Sequence, residues 1–169
     1  TVTCMLAYMA AGMNWFDALG HSFSTVALGG FSPHDASIGH FDSAVIEMIC
    51  VFFLIVSAVS FSLHFVAWRE KRLTHYFQDP EARFLLLFLL GLAVITVVSL
   101  WLTETYGTER GLRHGIFQVV SVATTAGFGV ADFSAWPGAL PFLLFMAAFV
   151  GGCSGSTGGG MKVIRIILI

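Results

Sequence analysis

Residues 24–35 read STVALGGFSPHD, and residues 121–132 read SVATTAGFGVAD. A shift of 97 residues, from 24 to 121, superimposes the two stretches. Four residues are identical between them: Ser24 and Ser121, Gly30 and Gly127, Phe31 and Phe128, Asp35 and Asp132. An internal repeat of this kind indicates that one structural unit occurs twice in the chain.

The composition predicts that both copies lie in a lipid bilayer. Of the 169 residues, 57% are hydrophobic and only 11% are charged, whereas about a quarter of the residues in a soluble domain are charged. The chain has 8 Lys and Arg against 10 Asp and Glu, so it lacks the basic excess that binds nucleic acid. The sequence therefore predicts an all-α integral membrane protein.

Two long apolar runs, residues 44–68 and 84–102, are predicted to cross the bilayer, because about 20 apolar residues span its core. The linker 69–83 between them carries 4 Lys and Arg residues, so the positive-inside rule predicts that it is cytoplasmic. The chain starts without Met and stops inside an apolar run. We interpret it as a piece of a longer multi-pass protein.

Two shorter apolar segments immediately precede the repeated stretches. Segments of about 10–14 apolar residues are too short to cross and are typical of re-entrant helices. The predicted first unit occupies residues 1–68, with a truncated first span, a pore helix at 14–24, a loop at 25–31 and an inner helix at 44–68. The predicted second unit occupies residues 84–169, with a span at 84–102, a pore helix at 112–123, a loop at 123–129 and a broken inner helix at 137–150 and 161–169.

The two loops are predicted to line a path for a cation. Irregular backbone at membrane depth is tolerated only inside protein or beside water, and backbone carbonyls there can replace the hydration shell of an ion. The negative C-terminal ends of the short helices favour a cation. Tight turns between helices are the alternative interpretation. Asp35 and Asp132 either attract cations at an outer mouth or serve as solvated acids and helix caps. Glu47, which is costly in lipid, is expected to hydrogen-bond its own pore loop.

Residues 151–160, GGCSGSTGGG, interrupt the last inner helix. Residues 137–150 make only about 21 Å of helix against a core of about 30 Å, and six helical glycines would cost about 3–6 kcal/mol. The segment is predicted to be non-helical and to face the pore on the cytoplasmic side of the loops. Its hydroxyl groups are expected to bond freed backbone groups or passing ions. Lys162 either hinders cations there or snorkels from a helix end.

Three stretches resemble the Trk/Ktr/HKT superfamily of potassium transporters, most closely its TrkH branch: FSTVALGGFSPHDASIGHFDSAVIEMICVFFL, SVATTAGFGVADFSAWP and GGCSGSTGGGMKVIR. The resemblance implies four span–pore helix–filter loop–span units around one pore, as in potassium channels, with this chain holding the second unit and most of the third. It also implies a homodimer in the bacterial inner membrane, a TrkA-like cytosolic nucleotide-binding ring protein as partner, and transported potassium without a bound cofactor.

The resemblance assigns functional residues but no catalytic ones. The implied filter binds potassium through the main-chain carbonyls of Thr25, Val26, Ala27, Leu28, Gly29, Gly30, Ala123, Thr124, Thr125, Ala126 and Gly127. The implied gate comprises Gly151, Gly152, Ser154, Gly155, Ser156, Thr157, Gly158, Gly159, Gly160 and Lys162. Leu28 aligns with Thr125, at a position that is often small or hydroxylated in the superfamily.

Two other functions fit parts of the sequence. Residues 152–155 match the GxSG around the nucleophile of rhomboid intramembrane serine proteases, and His64 is a candidate base. Duplicated pore loops have no place in such an enzyme. A non-conducting structural fragment of a transporter is the third interpretation, because two units alone cannot enclose a four-fold pore. We therefore predict a transporter and not an enzyme.

Overall fold

The computed structural model describes residues 1–168, except for the side chain of residue 108. The helices of this part are α1 (Val2–Ala10), α2 (Trp15–Val26), α3 (Ala44–Ala58), α4 (Phe61–Glu70), α5 (Thr74–Gln78), α6 (Pro80–Leu102), α7 (Thr108–Ala123), α8 (Leu140–Ala147) and α9 (Val163–Leu168). Two 3₁₀ helices occupy Ser37–Phe41 and Phe133–Ala135. The described residues contain no strand, which confirms the predicted all-α class.

Within the described residues, α6 is the one helix that is long and apolar enough to cross a bilayer by itself. Its 23 residues extend about 35 Å at 1.5 Å per residue. The side chain of Asp79 caps the helix by accepting a hydrogen bond from the backbone N–H of Ala82 at 2.8 Å. Pro80 lies in the first turn, where its missing N–H costs nothing. The span predicted from residue 84 therefore begins at Pro80.

The prediction of one continuous inner helix over residues 44–68 is wrong. The chain bends by 93° between α3 and α4, and Val59 adopts an extended conformation at the break. The carbonyl of Ala58 accepts a hydrogen bond from Cys153 N–H at 2.8 Å, and the N–H of Phe61 donates to the carbonyl of Gly155 at 3.2 Å. Two backbone groups at the bend are therefore satisfied by residues 151–160, far away in sequence.

Other helix boundaries also differ from the predictions. The helix α2 extends to Val26, so the first two residues of the loop predicted at 25–31, Thr25 and Val26, are helical. The helix α7 begins at Thr108 instead of residue 112, because its first turn is polar and gave no apolar signal. The helix α8 covers only Leu140–Ala147 of the predicted 137–150, and α9 begins at Val163. Residue 169, the last of the predicted helix 161–169, lies outside the described residues.

The packing repeats with the sequence. The helix α1 packs against α2 and α3, and in the second half α6 packs against α7, which packs against α8. The helix α3 also packs against α7 and so joins the two units. Tyr8, Leu54 and Phe117 are fully buried in the shared core. This arrangement brings the ends of α2 and α7 together.

Candidate functional site

The first Gly-Phe loop (residues 25–31) and the second Gly-Phe loop (residues 123–129) have the same backbone conformation. Gly29 N–H donates to the carbonyl of Ser24 at 2.8 Å, and Ala126 N–H donates to that of Ser121 at 2.9 Å. Positive φ angles occur at matched positions in both loops: 53° at Leu28 and 62° at Thr125, 68° at Gly30 and 88° at Gly127. The sequence repeat is therefore a structural repeat down to single residues.

The two loops touch each other at Gly30. A Cβ atom at Gly30 would lie 2.2 Å from the carbonyl oxygen of Ala126 and 3.0 Å from the carbonyl carbon of Gly127. A distance of 2.2 Å to a backbone atom leaves no room for any side chain. Glycine is required at this position both by the contact and by its left-handed backbone.

Two threonine side chains of the loops, those of Thr25 and Thr124, point back into the protein. The hydroxyl of Thr25 shares a hydrogen bond with the buried hydroxyl of Tyr8 at 2.9 Å, and the hydroxyl of Thr124 donates to the carbonyl of Val120 at 2.7 Å. The hydroxyl of Ser121 donates to the carbonyl of Phe128 at 2.7 Å across the second loop. These bonds attach the loops to the protein behind them and engage the hydroxyl groups of Thr25 and Thr124.

The glycine loop (residues 151–160) contacts both Gly-Phe loops. The hydroxyl of Thr157 donates to the carbonyl of Val26 at 2.9 Å, and Gly159 N–H donates to the hydroxyl oxygen of Thr125 at 2.7 Å. A Cβ at Gly158 would lie 3.2 Å from the carbonyl oxygen of Thr124. The structure thus brings the residues predicted as gate against the residues predicted as filter.

Comparison with known proteins decides the family. A sequence profile of the TrkH family, described as a cation transport protein, matches residues 1–169. The chain belongs to the TrkH family. "Trk system potassium uptake protein TrkH" from Halomonas elongata is 83% identical over 169 residues, which are 100% of this chain and 35% of that protein. The protein of the same name from Escherichia coli K12 is 49% identical over 170 residues, again 100% of this chain and 35% of that protein.

A solved structure has the same fold. The crystal structure of the potassium transporter TrkH from Vibrio parahaemolyticus matches with a TM-score of 0.96 and 46% sequence identity. The match covers 99% of this chain and 36% of that one. This chain therefore spans about a third of the length of the TrkH proteins that it resembles.

The glycine loop of this TrkH-family chain closes on itself. The residues at its two ends, Gly151 and Gly160, have φ angles of 69° and 77° and lie side by side. A Cβ on Gly151 would lie 2.2 Å from the carbonyl oxygen of Gly159. Met161 N–H donates to the carbonyl of Phe149 at 2.9 Å, which ties the chain beyond the loop to the chain before it. The glycines are therefore needed for close backbone contact as well as for breaking the helix.

Lys162 folds back onto the glycine loop and does not extend away from a helix end. Its ammonium group donates to the carbonyl of Ser156 at 3.4 Å and also to that of Gly158. The residue is half-buried and has a φ of 70°. A positive charge therefore lies against the carbonyls of the loop, next to the residues that contact the Gly-Phe loops.

The geometry does not favour a serine protease. Ser154 is exposed, and its N–H donates to the Glu81 carboxylate at 2.6 Å. The candidate base His64 is engaged through both ring nitrogens, with the carbonyl of Val56 at 2.8 Å and the hydroxyl of Tyr76 at 2.7 Å. Neither ring nitrogen of His64 is left to take a proton from a serine nucleophile.

The acids predicted at an outer mouth differ in their surroundings. Asp132 caps the second 3₁₀ helix by accepting hydrogen bonds from the hydroxyl of Ser134 at 2.5 Å and from its N–H at 3.0 Å. These two bonds lower the pKa of Asp132 below its ordinary value. Asp35 is exposed. The helix-cap interpretation thus fits Asp132.

Sequence reasoning missed the partner of Glu47. The sequence predicts a hydrogen bond from Glu47 to its own pore loop, but Arg113 on α7 binds the Glu47 carboxylate through two hydrogen bonds of 2.7 Å. The expectation was wrong because the two residues are 66 positions apart and belong to different units. The signal in the sequence was an isolated buried acid in one unit and an isolated base in the next.

Proposed function

We propose that this chain forms the second and third pore units of a TrkH-type potassium uptake protein in the bacterial inner membrane. The observation that carries the proposal is the contact of two equivalent Gly-Phe loops at Gly30, with the glycine loop bonded to both. The TrkH relatives, which are named as potassium uptake proteins, support the same function. Two further pore units, supplied by the rest of the protein, would complete the ring.

Potassium would pass through the ring of Gly-Phe loops by exchanging water for backbone carbonyl oxygens. The proposed ligands are the main-chain oxygens of residues 25–30 and 123–127. Because Thr25 and Thr124 direct their hydroxyls into the protein, the main chain is left as the source of ligands at these two positions. The C-terminal ends of α2 and α7 add negative partial charge close to the ion. Permeation of this kind is passive and driven by the membrane potential.

The glycine loop would act as the gate in a closed position. Its hydrogen bond to the carbonyl of Val26 occupies an acceptor that potassium needs, and its bond to Thr125 fixes it against the second loop. The charge of Lys162 repels cations from the same place. Opening would require these bonds to break.

The cytoplasmic side offers a route for a signal to the gate. The glycine loop is bonded to the bend between α3 and α4 and, through Ser154, to Glu81 at the start of α6. The segment 69–83 that connects α4 to α6 is the proposed cytoplasmic linker. A TrkA-like nucleotide-binding ring protein and a second copy of the transporter are the proposed partners.

Rescue of potassium uptake tests the proposal. A bacterium without potassium uptake systems would receive a full-length TrkH transporter whose corresponding segment is replaced by residues 1–169. We expect growth at low potassium, and the same chimera with the glycine loop deleted should leak more potassium. A chimera that reaches the membrane in normal amounts without restoring growth would contradict the proposal. Cleavage of a membrane substrate that is lost in Ser154→Ala would favour the protease instead.

A further inference from the structure

An ion pair locks the inner helix of the first unit to the pore helix of the second. Arg113 donates from Nε to Oε2 of Glu47 and from Nη2 to Oε1, both at 2.7 Å. Arg113 also donates from Nη2 to the carboxylate of Asp42 at 2.8 Å. The Glu47 side chain is 1% exposed and that of Arg113 is 18% exposed, whereas Asp42 is 78% exposed. The Glu47–Arg113 contact is therefore a bidentate pair with a buried carboxylate, and two parallel hydrogen bonds fix the relative orientation of the two side chains.

The repeat provides an internal comparison. Under the shift of 97 residues, Glu47 corresponds to Leu144 and Arg113 corresponds to Phe16. Leu144 is fully buried and Phe16 is 60% exposed. The repeat therefore carries apolar residues at the two equivalent positions, whereas the contact between α3 and α7 carries an ion pair. A buried ion pair adds little stability over apolar residues of similar size, but it restricts geometry.

The ion pair lies on a helix that leads directly to the proposed filter, so a displacement of that helix would move the filter. Arg113 lies on α7, which runs on as one rigid helix to Ala123 at the start of the second Gly-Phe loop. The distance along the axis is about 15 Å at 1.5 Å per residue. Glu47 lies on α3, whose other end, at Ala58, holds the glycine loop through Cys153. The pair thus sets the position of α7 relative to the helix that supports the proposed gate.

We propose that the Glu47–Arg113 pair is a positioning element that determines the ion selectivity of the second Gly-Phe loop. The proposal rests on the proposed potassium transport. Discrimination between cations depends on where the carbonyls stand, so a small displacement of α7 changes the binding of potassium and sodium unequally. Neither residue touches the ion, and each acts through the helix that carries it.

The test measures the ratio of potassium to sodium uptake in a full-length transporter that contains this segment. Arg113→Lys keeps the charge but loses the planar fork, and Glu47→Gln keeps the shape but loses the charge. We expect each variant to lower the ratio by about tenfold, which corresponds to ~1.4 kcal/mol between the two ions. The matched control is Arg110→Lys, which makes the same substitution at an exposed arginine on the same helix. We expect its ratio of potassium to sodium uptake to be unchanged.

A double variant separates positioning from folding. Glu47→Leu with Arg113→Phe copies the residues found at the repeat-equivalent positions and removes the buried charges, so it should reach the membrane in normal amounts. We expect it to transport potassium with the same reduced ratio as the single variants. A wild-type ratio in this double variant, or in Arg113→Lys, would overturn the inference. Absence of potassium uptake by the unmodified transporter would instead overturn the proposed function, and the inference with it.

Discussion

At the scale of single residues, the two loops differ in how much space their glycines have. Gly30 faces the backbone of Ala126 at a distance that excludes any Cβ, whereas a Cβ at Gly127 meets nothing within 4 Å among the described residues. Both have positive φ angles. The sequence repeat makes the two glycines look equivalent, yet only one of them is enclosed by the packing in this part of the protein.

Alanine substitutions distinguish the two glycines. Gly30→Ala should lower the free energy of unfolding by about 1–3 kcal/mol, because the new methyl group forces the backbones of the two loops apart. It should also reduce potassium uptake about tenfold or more, because the carbonyls move with them. Gly127→Ala adds left-handed strain of about 1–2 kcal/mol without that clash. Thermal unfolding and potassium uptake of both variants check this, and equal defects would contradict it.

At the scale of secondary-structure elements, the bend between α3 and α4 and the glycine loop form one unit. Each satisfies backbone groups that the other leaves free, through the contacts of Ala58 with Cys153 and of Phe61 with Gly155. The bend contains neither Pro nor Gly, which are the usual sequence signals of a break. The break is stabilised by hydrogen bonds to the glycine loop, which is distant in sequence. The apolar run 44–68, taken by itself, therefore predicts one continuous helix.

Removing one hydroxyl tests the contact between the glycine loop and the first Gly-Phe loop. Thr157→Val keeps the shape but deletes the donor to the carbonyl of Val26. A hydrogen bond contributes about 1 kcal/mol, so we expect potassium flux in the absence of activation to rise about fivefold.

The matched control for Thr157→Val is Thr105→Val, the same substitution at an exposed threonine between α6 and α7, outside the glycine loop. Flux of labelled potassium into proteoliposomes should be unchanged in this control. An equal potassium flux in Thr157→Val and in the unmodified protein would contradict the gate proposal and would favour a hinge without a gating role.

At the scale of the whole molecule, orientation in the membrane is a prediction that labelling can check. The three native cysteines, Cys4, Cys50 and Cys153, are buried, so they should react slowly with a membrane-impermeant maleimide. Lys71→Cys lies in the linker 69–83, and Thr105→Cys lies between α6 and α7, at the opposite end of the span α6; both positions are exposed. We expect Thr105→Cys to react in intact cells and Lys71→Cys only in inside-out vesicles. The opposite pattern would reverse the predicted topology.

Much of the site was predictable from short-range signals. The repeat identified the two Gly-Phe loops, since a left-handed backbone next to a close contact requires glycine at a fixed position. The glycine loop was predictable because six glycines in ten residues cannot form a stable helix. The start of α7 was not predictable from the sequence, because its polar first turn gives no apolar pattern.

The sequence by itself determined the helical class, the membrane setting, the duplicated loops and the interruption at 151–160, because each depends on composition or on residues that are close along the chain. Only the tertiary structure decided the bend between α3 and α4, the contact of the glycine loop with both Gly-Phe loops, and the pairing of Glu47 with Arg113. These features depend on which backbone and charged groups meet across more than 60 residues. In the low-polarity interior each such group must find a partner, and chain folding selects it.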